Sequence, residues 1–97
     1  MIKVEIIKEV DNIKQVTVDG HADFAEHGSD IVCAGVSAVV FGLINSVDVL
    51  DDDVQFDISA NEDETGHLTY RSLKSTDKEQ LLLNAMLIAL KTIEENY

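Results

Sequence analysis

The sequence predicts an α+β domain of order β-β-α-β-β-α, in which a largely antiparallel four-stranded sheet carries two packed helices. Three observations support this. Apolar side chains alternate every second residue in two pairs of short segments, and each pair is joined by a short polar turn. A long apolar run follows the first pair and a capped amphipathic run follows the second. At 97 residues the chain suffices for one core and leaves no room for a second domain.

In residues 2 to 7, Ile2, Val4 and Ile6 share one face and Lys3, Glu5 and Ile7 the other. Asp11-Asn12 supplies a turn, and Ile13 to Val18 returns with Val16 and Val18 on one face. Gly20 ends that strand, either by taking a dihedral closed to other residues or by admitting a second backbone, and leaves His21 at the rim. The connection from Ala22 to Ser29 is polar and longer than the ~2–6 residues usual between strand and helix. Its one large apolar residue, Phe24, reads as a plug that holds it down.

Ser29 or Asp30 caps a helix running to Asn45 or Val47, which puts Cys33 in the first turn. Ile31, Val32, Ala34, Val36, Ala38, Val39, Val40, Phe41, Leu43 and Ile44 leave it almost no polar face, so it needs cover nearly all round. The sheet covers one side, and the second helix or another subunit must cover the rest; a homodimer is therefore expected. The apolar run Ile31 to Val47 is interrupted by Gly35, Ser37, Gly42, Asn45 and Ser46 and is shorter than the ~20 residues a bilayer needs, so it reads as a buried helix and not as a membrane span.

Asp48, Asp51, Asp52 and Asp53 mark the exit from this helix. Val54 to Ser59 alternates strictly, Asn61 to Gly66 turns, and His67 to Ser72 returns with Leu68 and Tyr70 inward. Thr76-Asp77-Lys78-Glu79 has the form of a capping box and opens a helix to about Asn96, with Leu81, Leu82, Ala85, Met86, Ile88, Ala89 and Ile93 as its apolar stripe. Strand order is not determined by the pattern.

Lys and Arg number 7 against 19 Asp and Glu, a formal charge of -12, so a phosphate backbone is repelled and nucleic acid is not expected as a direct partner. Such an excess is a solvated surface or an attraction for a basic peptide. One cysteine forms no internal disulfide, and the N-terminal residues lack the apolar run of a signal peptide, so the cytoplasm is the expected compartment.

A strand packed beside its following helix leaves the strand's end and the helix's start adjacent, so His21 and Cys33 can face each other as base and nucleophile. A helix N-terminus or a nearby imidazolium lowers a thiol's pKa from ~8.5 into the range ~3.5–7.5, and amides at the helix start can hold an oxyanion. The plainer reading makes Cys33 a small buried hydrophobe among Ile31, Val32 and Ala34. Asp30 is an N-cap, worth roughly 1 kcal/mol, or else orients His21. Ser37, four residues after Cys33, shares its helix face, and either meets the histidine or bonds back to its own helix. Asp19 supports His21 or is a solvated strand end. His21, His27, Cys33 and the nearby aspartates match no closed zinc site, and His67 reads as surface. Two classes of function remain: a cysteine hydrolase without metal or organic cofactor, and a non-catalytic acidic binding module.

Gly20-His21-Ala22 followed by Gly28-Ser29-Asp30-Ile31-Val32-Cys33-Ala34-Gly35-Val36-Ser37 closely resembles the signature of the bacterial ribosomal-processing cysteine proteases, and length and element order extend the similarity over the whole chain. The resemblance implies a cytoplasmic, dimeric protease that removes an N-terminal extension from a large-subunit ribosomal protein, cutting after an aromatic residue. It further implies that Cys33 is the nucleophile and His21 its base, that Gly20, Asp30 and Ser37 shape the site, and that the loop from Ala22 to Ser29 moves over the substrate.

Overall fold

The structure, a computed structural model, describes residues 2–20, 31–61 and 66–97. Its elements are β1 (Lys3–Glu9), β2 (Asn12–Asp19), α1 (Ile31–Leu50), β3 (Gln55–Asn61), β4 (His67–Lys74) and α2 (Asp77–Asn96). The expected α+β architecture holds, and the strand order the pattern left open is β1-β2-β4-β3, antiparallel throughout. Val16 pairs with Tyr70 and Val18 with Leu68 across the two central strands, so the hairpins join edge to edge. Two-residue alternation brings these side chains to one face, where they form a core with Val36, Val40 and Ile44 of α1 and Leu83, Met86 and Leu90 of α2. The opposite face carries Gln15, Thr17, Asp19, His67, Thr69 and Arg71. The expected connection from Ala22 to Ser29, with Phe24 and the Ser29 or Asp30 cap, lies outside the described residues, as does most of the second turn.

The first turn falls one residue earlier than expected. Asn12 already pairs with Glu9, so Val10 and Asp11 make the loop, and Val10 takes a φ of 58°. Two-residue hairpin loops demand positive φ, a demand usually met by glycine. Here a β-branched residue meets it at 92% exposure, so strain is not compensated by packing.

α1 runs to Leu50, past the expected end at Asn45 or Val47, and Asp48 lies inside it. At 20 residues it is long and apolar enough to cross a bilayer, so length does not argue against a span. One side of it is packed, where Cys33, Val36, Val40, Ile44 and Val47 form a buried stripe against the rest of the chain. Among the described residues the expected all-round cover is incomplete: Ile31 and Val49 stay exposed.

Thr76 caps α2 as expected, its hydroxyl accepting the Glu79 amide at 3.1 Å. Glu79 departs from the capping box. Its carboxylate is fully buried and accepts from the Tyr70 hydroxyl at 2.5 Å and the Ser72 hydroxyl at 2.9 Å. Burial, reinforced by this carboxylate, pushes the Tyr70 phenol well above its ordinary pKa and keeps it a donor. The apolar stripe of α2 is also rotated from the expected one. Leu83, Met86 and Leu90 are buried, whereas Leu81 and Ile88 are exposed, because the apolar residues between Leu81 and Leu90 populate several faces and Glu79 decides which turns inward.

Asp51 ties the two halves together. Its carboxylate accepts from the Thr76 hydroxyl and from the amides of Asp53 at 3.0 Å and Val54 at 3.2 Å. The Thr76 hydroxyl, more than the amides, holds the Asp51 carboxyl below its ordinary range.

Two outcomes follow from these local features. Val10→Gly should raise stability by about 1 kcal/mol, or about 4–8 °C in Tm, because relief of φ strain outweighs the added freedom of the unfolded chain; an unchanged or lower Tm contradicts the strain. A carboxyl whose folded pKa is depressed contributes stability that is present above about pH 4, its unfolded pKa, and lost as pH falls through the folded value. Asp51→Asn should therefore be less stable than wild type at pH 7, with the difference in Tm shrinking below about pH 4.

Candidate active site

Cys33 is the third residue of α1, in its first turn. The placement expected from sequence is the one found. The same residue is in phase with the buried stripe and only 2% exposed, so it is packed as well as positioned. Ser37, one turn on, is half-buried.

Cys33 lines a cavity of about 550 Å³. Val32 and Val36 of α1 flank it there, while Ile2, Val4 and Ile6 form one wall. The other wall is α2, through Leu87, Leu90, Lys91 and Glu94, residues that recur at helical spacing on one side. The cavity is thus lined by α1, the outermost strand β1 and the second half of α2. None of the wall residues was singled out as part of a site by the sequence, since their meeting depends on strand order and on the rotation of α2. The only signal available beforehand was the shared face of Ile2, Val4 and Ile6.

Gly20 takes a φ of 87° and its amide donates to the Gly66 carbonyl at 2.8 Å, so both uses foreseen for this glycine are realised at once. Asp19, just before it, pairs with Lys3, and Ile2 lies in the same cavity as Cys33. The end of β2 and the start of α1 are therefore at one end of the sheet. His21 and Asp30 lie outside the described residues.

Asp19 points to the sheet face away from the helices, where its carboxylate meets Nδ1 of His67, while His67 Nε2 is 3.2 Å from the Thr69 hydroxyl. Its contact is thus with His67, on the face opposite Cys33. His67 is partly exposed, as the sequence suggests, yet it has a partner that only the β2–β4 register reveals. Among the described residues no three His, Cys, Asp or Glu side chains gather as a possible metal site.

Comparison with known proteins bears on this arrangement directly. The profile of a family described as Cysteine protease Prp matches residues 1–97. The ribosomal processing cysteine protease Prp of Bacillus subtilis is 41% identical over 104 residues, covering 100% of this chain and 90% of that relative. A crystal structure of the essential ribosomal processing protease Prp from Staphylococcus aureus in complex with a substrate peptide has a TM-score of 0.85 and 43% identity, covering 100% of this chain and 92% of that one. A second, with a covalently linked product peptide, has a TM-score of 0.85 and 41% identity over the same shares.

Proposed function

The chain belongs to the Prp family of cysteine proteases, and we propose that it removes the N-terminal extension of a large-subunit ribosomal protein with a dyad of Cys33 and His21. The observation that carries this reading is Cys33 in the first turn of α1, lining a cavity at the end of the sheet where β2 ends. His21 takes the thiol proton, the Cys33 sulfur attacks the scissile carbonyl, and the tetrahedral oxyanion is held by amides at the helix start. His21 then returns the proton to the leaving amine, giving a thioester to the Cys33 sulfur. Water, activated by His21, hydrolyses that thioester and frees the excised extension, the shortened protein having already departed as the leaving amine.

Gly20, Asp30 and Ser37 shape the site in this reading, and the 22–29 segment moves over the substrate, which is cut after an aromatic residue. A formal charge of -12 attracts a basic ribosomal protein, and no direct nucleic-acid or membrane contact is invoked. The cytoplasm is the compartment that fits such a substrate. The acidic binding module rests on one observation, the 2% exposure of Cys33.

The same reading includes a homodimer. On the outer side of the helical layer, Ile31 and Val49 of α1 and Leu81 and Ile88 of α2 are exposed and face away from the sheet. A second copy presenting the same stripes covers them by two-fold symmetry.

Cys33→Ala should abolish cleavage of the extended ribosomal protein, followed by intact mass, while circular dichroism stays unchanged; His21→Ala should lower kcat by roughly 10²–10⁴ with little change in substrate binding. Turnover surviving in Cys33→Ala refutes the nucleophile, and alkylation of Cys33 only after unfolding favours the binding module. Light scattering after size exclusion should give twice the 10.7 kDa chain mass, and Leu81→Lys with Ile88→Lys should halve it. A wild-type monomer removes the dimer.

A further inference from the structure

We propose that Asp19, His67 and Thr69 form a side-chain clamp that holds the end of β2 and thereby positions His21, which makes His67 a positioning residue for the cleavage reaction. This rests on the reading of His21 as the base of Cys33 given above.

β2 and β4 pair from Gln15 with Arg71 to Asp19 with His67, so Asp19 and His67 form the last rung of that ladder. Terminal rungs fray first, having neighbours on one side only. Beyond this one comes a single backbone bond, from the Gly20 amide to the Gly66 carbonyl at 2.8 Å, and both glycines take positive φ, at 87° and 75°. Glycine is permissive, so that bond by itself fixes the direction of the departing chain only weakly. The next residue in the chain is His21. The side chains of the last rung supply the missing hold. The Asp19 carboxylate meets Nδ1 of His67, and Nε2 of the same ring lies 3.2 Å from the hydroxyl of Thr69, which pairs with Thr17 further inside the ladder. The imidazole is thus held at both nitrogens, and through it the end of β2 is tied to the interior of β4.

Lys3, across from Asp19 on β1, has its ammonium 3.1 Å from the Glu5 carboxylate, which leaves the Asp19 carboxylate to His67. An ionised carboxylate only accepts, so Nδ1 carries the proton. In the neutral ring Nε2 then accepts from the Thr69 hydroxyl, and in the charged ring it donates to it. The hydroxyl rotates to suit either case, so the clamp holds in both charge states. Asp19 and His67 each keep nearly half of their side-chain surface in water, and pairs so exposed add little to overall stability. The effect is local instead, since a misplacement of about 1 Å in a reacting group can lower a rate by about 10²-fold. A natural control lies further along the same sheet face, away from the end of β2, where Arg71 contacts Asp57 at 3.5 Å.

The test uses the full-length protein and an N-terminal peptide of the extended ribosomal protein that the wild type cleaves. His67→Ala and Asp19→Ala should each lower kcat by about tenfold while KM stays within about twofold, because the base is displaced and the peptide's contacts are not. The double variant should be no slower than either single one, since both remove the same link. His67→Gln, whose amide can donate to Asp19, should recover kcat to within about threefold of wild type. Arg71→Ala, which removes a surface pair elsewhere on the face, should leave kcat within about twofold. In the wild type, nitrogen-15 signals of the His67 ring should report a proton on Nδ1 above its titration. Unchanged kcat in both alanine variants, additive losses in the double variant, a change confined to KM, or an equal loss in Arg71→Ala overturns the proposal. Alkylation of Cys33 by iodoacetamide at neutral pH separates the two levels of failure. If His21→Ala leaves both alkylation and cleavage intact, the base assignment is refuted and the clamp with it; if His21→Ala slows both and His67→Ala slows neither, the clamp alone is refuted.

Discussion

A buried carboxylate sets the geometry of this fold. Glu79 has no solvent exposure, and a polar group so placed is tolerated only when its hydrogen-bonding atoms are taken up. The Tyr70 and Ser72 hydroxyls take them up from β4, which fixes α2 in both position and rotation above the sheet. That rotation selects Leu83, Met86 and Leu90 for the core. It also turns Leu87, Lys91 and Glu94 toward the flank where β1 lies, so the cavity beside Cys33 is a product of a contact at the other end of α2. Gln80 reinforces the arrangement by exchanging hydrogen bonds with the backbone of Ile13 at 2.7 and 3.0 Å.

Most of the fold was legible because its signals are local. Alternation identified Ile2 to Ile6, Val16 to Val18 and Leu68 to Tyr70, and Thr76 announced the start of α2, since each depends on neighbours only a few residues away. The same locality explains the errors. Glu79 three residues after Thr76 is the signature of a reciprocal cap, yet its side chain was claimed by Tyr70 and Ser72 in another element. In α2 the sequence offers apolar residues on several faces, and a tertiary contact chooses among them. Val10 bears the turn because the two-residue loop requires it there, against its own preference.

The site divides in the same way. Placing Cys33 in the first helical turn needed only the start of α1, and the structure puts it there. What surrounds it comes from Ile2 and Val4 at one end of the chain and Leu87 and Leu90 near the other, and no spacing in the sequence joins them. Asp19 shows the converse: the sequence offered it as a support for His21 or as a solvated strand end, and the register of β2 with β4 gives it a contact with His67 that no local signal announced. α1 illustrates why hydropathy alone misleads, since one helix is at once a core element on the side of Val36 and Val40 and an apolar outer surface on the side of Ile31 and Val49.

The uncapped outer strand has a colloidal side. Among the described residues the outer edge of β1 carries no strand partner, and an open edge of that kind can pair with its counterpart on an identical molecule, which invites ribbon-like self-assembly. Mutual repulsion from a charge of -12 holds identical molecules apart while leaving cationic visitors welcome. Counterions shorten the range of that repulsion to about 8 Å at physiological salt, so crowding and ionic strength together, more than temperature, set how far this protein can be concentrated before its own edges find one another.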